Sequence, residues 1–193
     1  TTQSDRLISL ARRLAPLKSK CEKALRRLVE LDQWLTIGRW ARSVEAIMPE
    51  MCEHGISIKS GRHLIIDGVA DPVDYGLGNC ADKADQQSIA LLTGANSGGK
   101  TTMLELLAHC TILAHMGLPV PAKAAKVGHI ESLHVLAKAG GTQSAGALEQ
   151  TLLQLAEVVS NSNSKLILAD ELEAITEPGA GARIIAGMLE AAE

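Results

Sequence analysis

Eight consecutive residues restrict this chain more than any other stretch. Residues 94–101 read Gly-Ala-Asn-Ser-Gly-Gly-Lys-Thr: a glycine, four residues, Gly-Lys and a hydroxyl side chain. This is the spacing of a phosphate-binding loop, in which glycines let backbone N–H groups crowd around phosphate oxygens. The flanks fit. Residues 88–93, Ser-Ile-Ala-Leu-Leu-Thr, are an apolar run that predicts a buried strand. Residues 101–116 predict a helix with Met103, Leu104, Leu107, Ala108 and Ile112 on one side. Strand, glycine loop and helix N-terminus in that order make an anion site. Its expected nucleotide-binding residues are Gly94, Ala95, Asn96, Ser97, Gly98, Gly99, Lys100, Thr101 and Thr102, with Lys100 on the outer phosphates and the Thr101 hydroxyl on Mg²⁺.

A loop that grips a triphosphate needs carboxylates opposite it to hydrolyse one. Residues 165–169, Lys-Leu-Ile-Leu-Ala, predict a strand that ends in Asp170-Glu171 about seventy residues further on. In open α/β sheets ligands lie at the carboxyl ends of strands. Asp170 is the expected Mg²⁺ holder, and Glu171 the group that polarises the attacking water. A third feature is residues 140–146, a Ser- and Gly-containing loop ahead of a helix expected over 147–160. Its Ser144 could sit at an anion-binding helix end, offered to a nucleotide held by a second subunit, or be an ordinary helix cap.

The remaining chain surrounds this core. Leu7, Leu10, Leu14, Leu17, Cys21, Ala24, Leu28, Leu31 and Leu35 recur at alternating steps of three and four, a heptad seam on a helix over the first forty-eight residues. Pro16 is expected to kink that helix or to start a new one. Residues 55–59 and 63–66 predict two short strands joined by Ser60-Gly61-Arg62, with a further strand at Val73-Asp74-Tyr75 and another at 130–136. Together they read as a small side β-layer on a P-loop core. The chain then divides into a helical segment at 1–50 and an ATPase-type domain at 51–193.

Charge and cysteines set milder bounds. The first fifty residues hold ten Lys/Arg against six Asp/Glu, and the rest hold nine against sixteen, so a basic appendage precedes an acidic body. Such a segment is compatible with polyanion contact. Cys21, Cys52, Cys80 and Cys110 lack metal-ligand spacing and suggest reduced, mostly buried thiols of a cytoplasmic protein. No uncharged apolar run is long enough to span a bilayer. Phe is absent, so Leu, Ile, Val and Ala must fill the core. His109 and His115, six apart, give no metal site and read as satisfied surface or core residues.

At this point the loop resembles that of a known family. Residues 93–102, T-G-A-N-S-G-G-K-T-T, are similar to the phosphate loop of the MutS family, DNA mismatch-repair ATPases and their relatives. The Leu31-Asp32 helix, Gly61-Arg62-His63, G-L-P-V-P-A at 117–122, S-A-G-A-L-E at 144–149 and Asp170-Glu171 agree with that family in order and spacing. The resemblance implies an ABC-like dimeric ATPase using ATP and Mg²⁺. Lys100, Thr101, Asp170 and Glu171 would act within one subunit and Ser144 across the dimer. It also implies adenine packing by the segment holding Val73 and Tyr75. DNA is the implied partner, a homodimer the implied assembly, and no membrane is involved.

Departures point to a particular branch. Ser144 is followed by Ala-Gly where the family usually has Thr-Phe, and no Phe exists to wedge a base pair. The chain therefore looks more like a shortened MutS-like branch than a mismatch reader. The family's histidine-bearing strand and helical tail after Asp170-Glu171 are not visible, so the domain is expected to be incomplete at its C-terminus. Two other readings stay open. One is a different ABC-type ATPase with coiled-coil arms; the other is a nucleotide-binding structural or regulatory domain without efficient hydrolysis.

Overall fold

A computed structural model describes residues 2–65, 71–80, 87–94, 98–136, 156, 158–161, 163–170 and 186–187. Two compact units are present, one of residues 1–43 and one of residues 44–193.

The first unit is one helix, α1, Gln3–Ser43. Thr2 and Asp5 start it reciprocally: the Thr2 hydroxyl and N–H both donate to Asp5 Oδ2, at 2.7 and 3.0 Å. Those bonds favour the ionised form and hold the Asp5 carboxyl below its ordinary range. Pro16 lies inside the helix and does not start a new one. The leucines of the expected seam, Leu7, Leu10, Leu14, Leu17, Leu28, Leu31 and Leu35, are all exposed.

Among its described residues, the second unit packs a long helix against two sheets. The first sheet has the order β1-β4-β2-β3, from β1 (Glu50–Cys52), β2 (Ile56–Gly61), β3 (Val73–Leu77) and β4 (Ala124–Gly128). Strand β4 runs parallel to β1 and antiparallel to β2, and β2 pairs antiparallel with β3. The second sheet is the parallel pair β5 (Ser132–Leu136) and β6 (Lys165–Ala169). Helix α2, Lys100–His115, supplies Leu106, Leu107, Ala108, Cys110 and Ala114 to a core shared with Ile56, Ile58, Val120, Ala125, Val127 and Leu168.

Local chemistry explains the joints. Strand β2 bulges between Ile58 and Gly61, where Ser60 adopts φ 51° and its freed N–H is taken by Asp74 Oδ1 at 2.7 Å. Gly61 must stay bare, because a Cβ there would lie 2.6 Å from Ile58 Cγ2 and 3.0 Å from Leu106 Cδ2. Helix α2 stops at Gly117, whose φ of 69° closes the end while the Leu118 N–H reaches back to the Leu113 carbonyl at 2.9 Å.

Several expectations are corrected. Residues 88–93 form no strand: they pair with no ladder among the described residues, and Leu91 is 77% exposed. An apolar run predicts burial but does not supply a neighbouring edge to pair with. Residues 63–65 are not a strand either, and residue 66 lies outside the described set. The partner of β2 is β3, because the bulge and Asp74 fix that register. The inward face of α2 holds the expected Leu107 and Ala108 with Leu104 packed beside them, but extends to Leu106, Cys110 and Ala114, while Ile112 is 47% exposed. Strands β1 and β4 were not foreseen. Finally, the four cysteines are not all thiols. Cys52 and Cys80 form a disulfide between the β1 edge and the 3-10 turn Gly78–Cys80, leaving Cys21 exposed and Cys110 buried. Burial pushes the Cys110 thiol up to about 12.

Candidate functional site

The site begins where α2 begins. Gly99 adopts φ 77°, a left-handed conformation that glycine takes freely, and its carbonyl receives the Met103 N–H at 2.9 Å. The helix N-terminus thus follows the glycine loop directly, with no side-chain cap on Gly99. Its first residue, Lys100, folds back so that Nζ donates to the Gly94 carbonyl at 2.7 Å. The two ends of the loop are thereby joined by the lysine.

The opposing wall comes from β6. Its backbone continues the parallel ladder one step past Ala169, with the Asp170 N–H donating to the Leu136 carbonyl at 2.8 Å. That bond directs the carboxylate out of the sheet at the carboxyl end of β6. There the Thr101 hydroxyl donates to Asp170 Oδ2 at 2.5 Å, across a sequence separation of 69. Two groups that were expected to share one ion therefore touch. The carboxyl end of β6 and the amino end of α2 form one corner, where a negative ligand would meet backbone donors and a positive helix end.

The donor chemistry fits a hard divalent cation. A hydroxyl and a carboxylate are oxygen ligands, and Mg²⁺ is usually held by one or two protein groups and completed by phosphate oxygens and water. Among the described residues no group of three or more His, Cys, Asp or Glu side chains gathers to hold a metal. Thr101 and Asp170 would accordingly bind Mg²⁺ together with a phosphate, not alone.

The other expected residues are distributed as follows. Gly94, Gly98 and Gly99 are exposed, Thr102 is half-buried, and Ala95, Asn96 and Ser97 lie outside the described residues. Glu171 and Ser144 also lie outside them, as does most of the helix expected over 147–160, of which residues 156 and 158–160 are described and helical. Val73 and Tyr75 sit on β3, half-buried and packed against the core cluster, and burial raises the Tyr75 hydroxyl pKa.

Two features were not foreseen. A cavity of about 560 Å³ opens at the other end of β6, lined by Ser164 and Lys165 with His54, Gly78 and His129. It is lined by the start of β6, the strand end opposite Asp170, and Lys165 is engaged there by the carbonyls of Val158, Val159 and Asn161. The second feature is a histidine pair beside α2. His115 is satisfied as expected, between the Thr111 carbonyl and the Ile130 N–H. His109 is not: its Nδ1 is buried without a hydrogen-bond partner among the described residues, and its ring lies 5.3 Å from that of His63. The signal available in the sequence was the four-residue spacing of Thr101, Glu105 and His109, which stacks them on one helix face.

Comparison with known proteins bears on the family of the chain. The family model described as MutS domain V matches residues 90–191, more than half of the chain. A protein named DNA-binding protein MutS2 from Pyrococcus furiosus is 38% identical over 183 residues, covering 93% of this chain and 32% of that protein. A protein named Endonuclease MutS2 from Carboxydothermus hydrogenoformans is 30% identical over 189 residues, covering 95% of this chain and 24% of that protein. The chain thus spans about a quarter to a third of the length of these curated relatives.

Proposed function

The chain belongs to the MutS family, and from that premise we propose that it binds ATP with Mg²⁺ and hydrolyses it at a site shared between two copies. One observation carries the reading: the Thr101 hydroxyl on the Asp170 carboxylate, which joins the helix after the glycine loop to the end of β6. On this reading the backbone N–H groups of residues 94–99 cradle the phosphates. Lys100 exchanges the Gly94 carbonyl for a phosphate oxygen, a stronger partner for an ammonium because both are charged. Thr101 and Asp170 hold Mg²⁺, whose role when bound is to neutralise charge that develops on the phosphate oxygens. Glu171 accepts a proton from the attacking water and orients it in line with the bond that breaks.

Ser144, ahead of the helix expected over 147–160, would close on the nucleotide held by the other copy. Dimerisation then depends on ATP, and hydrolysis reopens the pair. DNA is the proposed output of that cycle. Support comes from the name of the Pyrococcus furiosus relative, a DNA-binding protein, and from the basic balance of the first fifty residues. The test is Mg²⁺-dependent ATP hydrolysis measured across a dilution series. Turnover per subunit should rise with protein concentration; a flat rate from a protein that stays monomeric with ATP would remove the shared site.

A further inference from the structure

We infer that His63 is a positioning residue for the first turn of α2, holding Glu105 so that Thr101 faces Asp170. The inference rests on the reading above that Thr101 and Asp170 serve a bound nucleotide. Its starting point is that α2 opens on Gly99 with no side-chain cap, so a contact one turn along the helix adds to what sets the direction of its first turn. Thr101, Glu105 and His109 follow at steps of four and share one face of the helix. A grip on Glu105 therefore acts one turn below the Thr101 hydroxyl.

The grip is built on a pinned segment. Past β2, the Arg62 N–H donates to the Pro121 carbonyl at 2.8 Å and its guanidinium meets Glu45 at 3.4 Å. His63 follows with its side chain only 5% exposed. The Ile65 N–H donates to His63 Nδ1 at 3.2 Å, so Nδ1 carries no proton and Nε2 does. That Nε2–H donates to Glu105 Oε2 at 3.0 Å. The His109 ring lies against the imidazole, and burial keeps His109 below the ordinary histidine range although the Glu105 carboxylate pulls the other way. A neutral His109 does not draw the Glu105 carboxylate away from His63. The tautomer, the short buried side chain and the neighbouring ring together turn a surface carboxylate into a fixed point on α2.

The test separates the two nitrogen atoms of His63. Gln reaches where Nε2 reaches and can still donate to Glu105, but cannot serve the Ile65 N–H. Asn offers an acceptor where Nδ1 was, but is too short for Glu105. Both are compared in the full chain with His63→Ala, by steady-state ATP hydrolysis and by hydrogen exchange at the Met103 amide, which the first turn protects. His63→Gln should keep near wild-type kcat/KM and protection. His63→Asn and His63→Ala should lose kcat/KM on the order of tenfold, chiefly through a raised KM for Mg²⁺-ATP, and should expose the Met103 amide. Glu105→Gln, which keeps the acceptor, should behave as wild type, and Glu105→Ala as His63→Asn. Activity retained by Asn and lost by Gln would show that His63 serves only its own turn, and equal behaviour of all variants would remove the role. Absence of hydrolysis in the wild type would sink the nucleotide reading instead, while the exchange pattern would still decide the grip on α2.

Discussion

On the proposed reading, Thr101 and Asp170 carry most of the chemistry at the level of single residues. Removing the hydroxyl with Thr101→Val keeps the shape and loses a bond to a charged acceptor, so Mg²⁺-dependent ATP affinity should fall on the order of tenfold, as read by calorimetric titration. Glu171→Gln should bind ATP yet hydrolyse it slowly, leaving an ATP-trapped dimer visible by size-exclusion chromatography. His109 makes a pH prediction. Its folded pKa is lowered, so between that value and about 6.5 the unfolded chain binds a proton that the folded chain refuses. The contribution is intact above about pH 6.5 and is lost progressively as the pH falls below it. Thermal unfolding followed from pH 7.5 to 5.5 should show a smaller loss in His109→Gln than in the wild type. These partners differed in how visible they were. Thr101 and Asp170 sit in patterned surroundings, a glycine loop and an apolar strand. Glu105 is one charge in the middle of a helix, and its meaning appears only when His63 arrives from forty-two positions away.

Elements obeyed their local patterns where a pattern closed on itself. Helix α2 has a glycine start and a glycine stop, and β6 is an uninterrupted apolar run ended by a carboxylate, so both were legible within a residue or so. Strand β4 was not, since Ala124-Ala125-Lys126-Val127 buries only Ala125 and Val127 and carries weak β-propensity. Strand β1 has three residues, too few to show a period. Residues 88–93 have the composition of a buried strand, yet pairing is a property of the neighbouring edge and leaves no mark in the run itself. The choice of β3 over 63–66 as partner of β2 was settled by a bulge and one aspartate, neither of which alternation reveals. The α2 contact with β2 gives a stability prediction. Gly61→Ala drives a methyl into Ile58 and Leu106 and should cost about 1–3 kcal/mol, measured by urea unfolding, because both neighbours are already close-packed.

Across the whole molecule, the disulfide is what a one-dimensional reading had least purchase on. Cys52 and Cys80 are separated by 28 positions and join the β1 edge to the turn after β3, the two outer strands of the four-stranded sheet. Closing such a loop restricts the unfolded chain by about 3–4 kcal/mol in the chain-entropy account. The Cys52→Ser, Cys80→Ser double variant should therefore unfold at a lower temperature than the wild type without reductant, and match it more closely with reductant. The pairing also withdraws two of the four cysteines from any argument about a reducing compartment. Among the described residues, no helix is long and apolar enough to cross a membrane. The account as a whole depends on the corner where α2 meets β6, and calorimetric titration of Mg²⁺-ATP into wild type, Lys100→Ala and Asp170→Asn examines it most directly. Saturable, Mg²⁺-dependent binding by the wild type, lost in Lys100→Ala and weakened in Asp170→Asn, is the predicted result. Equal binding by all three proteins, or none by the wild type, would contradict it.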